Sequence, residues 1–385
     1  MTCGLYLGLG VAGRRGGRSL AKTAGMSVPR PDSAARWRRF IAVCAIVIAV
    51  LGAGQAARLV TGLFSAARPA PRHGQPREVR TARVRHAAPR PAAPSIGALD
   101  SYAVGELSLT VFDQPDAGTG PADAASAVLP VVVRYPVAPG SSPGVTTPAA
   151  GPFPLVVFAP GYLQCGSYYA DLLNAWASAG YVVAVVKFPE TNCDVGDDGD
   201  EDYVANQPAE VSAVISKLVA MSATPGWLLS GRVNAGAIGL AGHSDGADTV
   251  AALAANTCCA DHRVDAAVVM AGATWPALGG GYFQSATPPM LFVQGDEDPV
   301  HPPSATLNMY SDDTTGPRYY LDVLGAGHFT PYEGDGPQEQ LVARVTLEFF
   351  DRYLAGQAQA RAAMLSSGNV SGVAALVHGG ALPAS

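Results

Sequence analysis

The sequence predicts an α/β fold in which a mostly parallel sheet of about eight strands carries helices on both faces. From residue 99 onward, short β-rich runs alternate with amphipathic helical segments. One of these runs, 155–159, is apolar throughout, which is typical of a strand buried on both faces. Residues 242–246 form a glycine-bracketed turn between a predicted strand and a predicted helix. We therefore expect a single globular domain over residues 99–360.

The elements follow one another in a readable order. Two leading strands precede the apolar run, and a helix follows it that carries Leu172, Leu173 and Trp176 on one face and ends at Gly180. Strands and helices then alternate to the end of the domain. The predicted strands cover 106–112, 129–135, 155–159, 181–188, 237–241, 264–271, 290–294 and 318–324, and the predicted helices cover 168–179, 207–221, 244–255 and about 338–354.

The N-terminal quarter differs in charge from the rest of the chain. Residues 1–95 contain sixteen basic and two acidic residues, a net charge of +14, whereas the remainder contains nine basic and 29 acidic residues, a net charge of −20. This asymmetry predicts a basic leader joined to an acidic globular domain. The Arg-rich tracts lack interleaved aromatic residues and any nucleic-acid-reading motif, so we expect no nucleic-acid partner.

The leader contains one apolar segment. A basic leader, residues 1–39, precedes an uncharged run at 40–54. This run is short for a membrane span of about 20 residues but fits the apolar core of a signal peptide. If the helix continues to residue 64, with Arg58 at the lipid headgroups, the segment is an uncleaved signal anchor. Residues 40–64 therefore predict export, with the domain either membrane-anchored or secreted to the cell envelope. Whether translation starts at Met1 or Met26 stays open.

Residues 65–98 are rich in proline, alanine and arginine and are predicted to be a disordered linker, because they offer too little apolar surface for a core. Residues 361–385 are predicted to be a flexible tail.

Four cysteines lie in the globular part of the chain. Cys165 and Cys193 come just past neighbouring predicted strands, so they are our candidate disulfide, with free thiols as the alternative. Cys258 and Cys259 are adjacent, and adjacent cysteines seldom bond to each other because the ring is strained.

The sharpest motif is G-x-S-x-G at residues 242–246, and it predicts that Ser244 is a nucleophile. The strand must turn sharply into the helix, so glycines at both ends avoid Cβ clashes while the serine is held exposed. The helix N-terminus then stabilises negative charge, and the Asp245 N–H is a candidate oxyanion donor. We expect His243, on the same turn, to be structural rather than the base.

A serine needs a base and an orienting acid, and both follow it in the order acid, then histidine. His328 lies in a glycine-bracketed loop after a predicted strand and is the predicted base; His301 and His262 lack such a loop. Asp298, on the loop after the preceding strand, is the preferred acid, with Asp296 as the alternative.

The segments 154–162, 242–246, 295–298 and 325–329 resemble those of bacterial cutinases and polyester hydrolases, and those of platelet-activating-factor acetylhydrolases and chlorophyllases. The resemblance covers roughly residues 102–355 and implies the α/β-hydrolase fold. It also implies that the Tyr162 N–H is the second oxyanion donor and that its ring walls the acyl pocket. The chain departs from cutinases at Asp245, where they usually carry methionine, and at Ala247.

Together these features predict a serine esterase or lipase that cleaves carboxylic esters through an acyl-serine intermediate. No cofactor and no metal are expected, since the acidic run at 194–202 does not match the spacing of a calcium loop. Trp275 is a candidate for the pocket wall, with core packing as the alternative. An acyltransferase with the same residues and a non-catalytic envelope-anchored binding protein remain as other functions. The substrate, the acyl-chain length and the oligomeric state stay open.

Overall fold

A computed structural model describes residues 102–113, 127–141 and 146–379. The predictions for the leader, the apolar segment at 40–64 and the linker at 65–98 fall outside these residues. Within the part of the chain that is described, no helix combines the length and the apolar character that crossing a membrane requires.

The described residues form one mixed sheet of nine strands, which confirms the predicted α/β-hydrolase fold. Its spatial order is β1-β2-β4-β3-β5-β6-β7-β8-β9. The strands β3 to β8 run parallel to one another, whereas β1, β2 and β9 join the edges in antiparallel pairs. The strands are β1 (Ala103–Asp113), β2 (Ala127–Val137), β3 (Phe153–Ala159), β4 (Val182–Val186), β5 (Val233–His243), β6 (Val264–Met270), β7 (Met290–Gly295), β8 (Arg318–Val323) and β9 (Ala374–His378).

Helices cover both faces of this sheet. Six α-helices are described: α1 (Ala170–Ser178), α2 (Gln207–Ser222), α3 (Asp245–Ala255), α4 (Pro303–Asp312), α5 (Pro337–Tyr353) and α6 (Ala360–Ser367). Short 3₁₀ segments at Gly166–Tyr169, Gly196–Asp198, Glu201–Asn206 and Pro276–Leu278 lie in the connections. The apolar side chains of α2, α3 and α4 pack into one hydrophobic layer and those of α1, α5 and α6 into the other.

The strand β3 shows why its sequence is apolar throughout. Leu155 and Val157 point into the layer beneath α2 and α3, whereas Val156 and Phe158 point into the layer beneath α1 and α5. Alternate side chains of a strand face opposite sides of the sheet, so a strand with a helix layer on each side needs apolar residues at every position.

The C-terminal region differs from the prediction. The expectation of a flexible tail from residue 361 was wrong for 361–379, where α6 packs against α5 and β9 pairs with β8. Met364 and Leu376 are buried there. These two short elements have little periodicity of their own and are stabilised by the existing edge of the sheet, so composition alone indicated a tail. The helix α4 was also missed, because it buries only Thr306, Met309 and Tyr310.

Candidate active site

The residues predicted for catalysis lie on loops that leave the carboxyl ends of parallel strands. Tyr162 follows β3, Ser244 follows β5, Trp275 follows β6, Asp298 follows β7 and His328 follows β8. Because the carboxyl ends of parallel strands meet at the same edge of a sheet, this topology gathers side chains that are far apart in sequence.

The turn at Ser244 has the backbone geometry that the motif predicts. Ser244 has φ 55° and ψ −126°, a region that L-residues seldom occupy. A Cβ at Gly242 would lie 2.1 Å from the Gly246 carbonyl oxygen, and a Cβ at Gly246 would lie 2.0 Å from the Ala159 carbonyl oxygen. Both glycines are therefore required by the close approach of backbone segments, and the helix α3 begins directly after the serine.

Ser244, His328 and Asp298 form a continuous hydrogen-bonded row. The Ser244 Oγ lies 3.0 Å from the His328 Nε2, and the His328 Nδ1 lies 2.7 Å from the Asp298 Oδ2. Because a carboxylate only accepts, Nδ1 carries the proton in the neutral ring and Nε2 is free to accept from the serine hydroxyl. All three are nearly buried, with 7%, 4% and 5% of their surface exposed.

The structure distinguishes between the two candidate acids. The Asp298 Oδ1 accepts from the backbone N–H groups of Val300 (2.8 Å) and His301 (2.9 Å), and its Oδ2 accepts from the Gln294 side chain at 3.0 Å. Asp296 instead accepts from the backbone N–H of Ala326 at 3.3 Å. Asp298 is therefore the carboxylate that contacts the histidine, and three hydrogen-bond donors besides His328 fix its orientation.

His243 links several loops of the site through hydrogen bonds of its imidazole. It is fully buried, and its Nε2 donates to the His328 carbonyl oxygen at 2.8 Å, so its Nδ1 accepts from the Tyr169 hydroxyl at 2.8 Å. The Gly161 N–H in turn reaches the Tyr169 oxygen at 3.4 Å. Burial, reinforced by the neighbouring His328, lowers the pKa of His243 well below its ordinary value, so the ring is neutral. This matches the structural role expected for it.

The loop that carries Tyr162 passes close to the nucleophile. A Cβ at Gly161 would lie 3.0 Å from the Cβ of Ser244, so the peptide that follows it borders the serine. The Leu163 N–H donates to the Thr191 carbonyl oxygen at 2.6 Å, which fixes the loop from behind. Burial and the nearby Glu201, Asp245 and Asp200 raise the pKa of the half-buried Tyr162 phenol.

A disulfide joins this loop to the next connection. Cys165 and Cys193 are bonded, with their Cα atoms 5.1 Å apart. The structure also bonds the adjacent Cys258 and Cys259, a pairing that sequence reasoning took to be rare. A cavity of about 280 Å³ lies beside the first disulfide, lined partly by Arg134 and Lys187, and Ser244 is not among its lining residues.

The segment after β6 packs against the core. Phe283 is buried and its ring lies 6.4 Å from that of Phe292, whereas Trp275 is half-buried. The backbone N–H of Trp275 donates to the Tyr282 hydroxyl at 3.1 Å. The indole N–H of Trp275 is buried and has no partner among the described residues. Packing of Phe283 against the core thus holds the segment, whereas Trp275 is only partly buried.

Sequence reasoning missed a cluster of three ionisable side chains that the structure forms beside Ser244. Asp245, Asp248 and His301 each offer one potential ligand atom, and these atoms lie within 4.8 Å of one another. Burial, and then the charge of Glu201, raises the pKa of Asp245 to about 7. The spacing of Asp245 and Asp248 on one helix face was a usable signal, but nothing in the sequence joined His301 to them.

Comparison with known proteins agrees with this geometry. No curated protein matches the chain. A family model for PET hydrolase-like proteins (PETase) matches residues 116–371, about two thirds of the chain. The match spans the strands β2 to β8 and all the loops of the site. The chain therefore belongs to the PET hydrolase-like family of α/β-hydrolases, a family of ester hydrolases.

Proposed function

We propose that this protein is a serine esterase that hydrolyses carboxylic esters through an acyl intermediate on Ser244. The observation that carries the proposal is the row of hydrogen bonds from the Ser244 hydroxyl through His328 to Asp298. The family match supports ester hydrolysis in general terms.

In the first half of the reaction, the Ser244 Oγ attacks the carbonyl carbon of the ester while its proton passes to the His328 Nε2. Asp298 stabilises the resulting imidazolium through Nδ1–H and holds the ring in place. The negative oxygen of the tetrahedral intermediate lies between the N–H groups of Tyr162 and Asp245. Collapse of the intermediate expels the alcohol, which takes the proton from His328.

In the second half, water replaces the alcohol. His328 removes a proton from the water as it attacks the acyl carbon, and the second tetrahedral intermediate uses the same two backbone donors. Collapse releases the carboxylic acid and returns the proton to the Ser244 oxygen. The position of Asp245 at the start of α3 supports its role as a donor, because the amides of the first turn have no acceptor within the helix.

The pocket beside the acyl group is proposed to include the Tyr162 ring and Trp275. Tyr162 lies on the loop after β3 that approaches Ser244 at Gly161. Trp275 follows β6, which is the neighbour in the sheet of β5, the strand that leads to Ser244. We also propose that the enzyme acts outside the cytoplasm, since the basic leader with its apolar segment fits an export signal and disulfides persist in oxidising compartments.

A fluorophosphonate probe tests the proposal on the full-length protein. The probe should label the wild type, whereas Ser244→Ala and His328→Ala should abolish labelling and the hydrolysis of p-nitrophenyl acetate. Ser311→Ala is the matched control, because Ser311 is an exposed serine that donates to the Leu307 carbonyl oxygen within α4. No labelling of the folded wild type would contradict the proposal. Adding alcohols to the assay separates hydrolysis from acyl transfer by the identity of the product.

A further inference from the structure

A second cluster of ionisable side chains lies next to the nucleophile and takes no part in the proposed mechanism through its side chains. Asp245 and Asp248 lie three residues apart on the first turns of α3 and therefore share a helix face. His301 belongs to the loop between β7 and α4. One carboxylate oxygen from each aspartate and one nitrogen of His301 lie within 4.8 Å of one another.

Two side-chain atoms of these residues are buried without a hydrogen-bond partner. The Asp245 Oδ2 and the His301 Nδ1 find none among the described residues, and Asp245 and Asp248 are only 2% and 1% exposed. The Ala273 N–H donates to the Asp248 Oδ1 at 2.5 Å, so that carboxylate is partly satisfied. The helix N-terminus also favours negative charge here. Neither feature supplies a partner for the Asp245 Oδ2.

No lysine or arginine of the described residues forms a salt bridge with this cluster. The salt bridges of lysine and arginine among the described residues go to Glu106, Asp194 and Asp261, and none reaches Asp245 or Asp248. Glu201 adds further negative charge nearby. Two buried carboxylates without a counter-ion are costly, and a bound cation is one way in which proteins compensate for them.

We propose that Asp245, Asp248 and His301 bind one divalent metal ion of the zinc or manganese class. The imidazole nitrogen favours these ions over calcium and magnesium, which prefer an all-oxygen set. Metal–ligand distances of about 2.0–2.2 Å place the ligand atoms of such an ion roughly 3–3.5 Å apart, and the three atoms here already lie within 4.8 Å of one another. Three protein ligands leave a coordination position for water.

This site goes beyond the proposed ester hydrolysis and has a structural consequence. His301 is three residues past Asp298, and its backbone N–H donates to the Asp298 Oδ1 at 2.9 Å. A metal ion held by His301 and by the first turns of α3 therefore joins the nucleophile helix to the loop that carries the acid. Binding should stabilise the folded protein, because the unfolded chain does not bring the three ligands together.

Metal uptake by the full-length protein tests the proposal without any measurement of activity. The protein is stripped with a chelator and titrated with ZnSO₄ or MnCl₂ at pH 7.5, by calorimetry and by thermal unfolding. We expect one equivalent of at least one of the two ions to bind, with a rise in melting temperature of about 5 °C at a hundredfold excess over Kd.

Two ligand variants and one control variant test whether the metal ion binds at this cluster. Asp248→Asn retains the acceptor for the Ala273 N–H but loses the charge, and His301→Gln leaves the backbone bond to Asp298 intact; each should weaken binding at least tenfold. Asp194→Asn removes an acidic group near the Cys165–Cys193 disulfide and should bind like the wild type. Melting temperatures without metal show whether each variant is folded. The proposal is overturned if the wild type binds neither ion, or if both variants bind as tightly as it does.

Discussion

The imidazole of His243 donates to the main-chain carbonyl of His328 at 2.8 Å, so the residue before the candidate nucleophile holds the backbone of the candidate base. The same ring accepts from Tyr169, which receives the N–H of Gly161 beside the oxyanion loop. One buried side chain thus connects three loops of the site.

His243→Ala should lower kcat for p-nitrophenyl acetate by about 10- to 100-fold with little change in KM, because the His328 loop loses its anchor and small displacements at a catalytic site are costly. It should also destabilise the fold by about 2–5 kcal/mol, since it leaves a cavity and unpaired polar groups. Steady-state kinetics and urea unfolding measure the two effects. Tyr169→Phe leaves the hydrogen bond from His243 to the His328 carbonyl oxygen in place and should lower kcat less. An equal loss of kcat in the two variants would contradict the anchoring of the His328 loop by His243.

Asp298→Asn should reduce kcat by roughly 10³- to 10⁴-fold, because an amide no longer holds the histidine in the tautomer that accepts the serine proton. Asp296→Asn is the matched variant two residues away, and it retains an oxygen for the Ala326 N–H. Its kcat should stay within about threefold of the wild type, well below the effect of losing a tautomer-holding carboxylate. A large loss in Asp296→Asn with activity retained in Asp298→Asn would reverse the assignment of the acid.

Gly246→Ala should prevent normal folding or abolish activity, since its Cβ would lie 2.0 Å from the Ala159 carbonyl oxygen. Gly336→Ala is the control, because a Cβ there meets no atom within 4 Å and the residue has φ −72°. Replacing a glycine by alanine at this N-cap position should cost less than about 1 kcal/mol. Circular dichroism and thermal unfolding compare the two; equal stability would show that the elbow tolerates a side chain.

Replacing Cys165 and Cys193 by serine should lower the free energy of unfolding by about 2–4 kcal/mol, because the disulfide closes a loop across a sequence separation of 28 residues. The disulfide between the adjacent Cys258 and Cys259 closes almost no loop. Replacing both cysteines by serine should therefore change the free energy of unfolding by less than about 1 kcal/mol on the same chain-entropy argument. Denaturant unfolding of both variants under oxidising conditions makes the comparison. Similar losses in the two would argue against a loop-closure effect.

Asp351 should make the stability depend on pH. Burial raises the pKa of its carboxyl from 3.8 to about 6, even though the Tyr181 hydroxyl donates to it. Because the folded-state pKa is raised, the stabilisation by the protonated form is fully present below pH 3.8 and is lost as the pH rises through about 6. Asp351→Asn should therefore be more stable than the wild type at pH 8, by on the order of 1–3 kcal/mol, and show a smaller advantage at pH 5.

Urea unfolding at pH 5 and pH 8 measures this difference. Asp197→Asn, an exposed aspartate, should leave the pH dependence unchanged. If Asp351→Asn lost stability equally at both pH values, the ionisation of the buried carboxyl would not be the cause.

The sequence by itself determined the elbow and the alternating sheet. The G-x-S-x-G turn is local, since its glycines are required by backbone approach within and beside five consecutive residues, and the apolar runs follow directly from strands covered on both faces. His328 was identifiable for a similar reason, because the glycines at 325 and 327 directly after a predicted strand are a local sequence pattern. The positions of neighbouring strands made Cys165 and Cys193 the candidate disulfide, with free thiols left open, and the structure bonds the two.

Only the tertiary structure decided between Asp296 and Asp298, because two carboxylates on one loop differ by the direction in which each points and not by their pattern. It also decided the role of His243, whose partners lie 74 and 85 residues away, and the meeting of His301 with Asp245 and Asp248. The strand β9 forms because β8 offers it an edge. Such contacts depend on where the strand ends converge in space, and a single sequence carries no record of that distance.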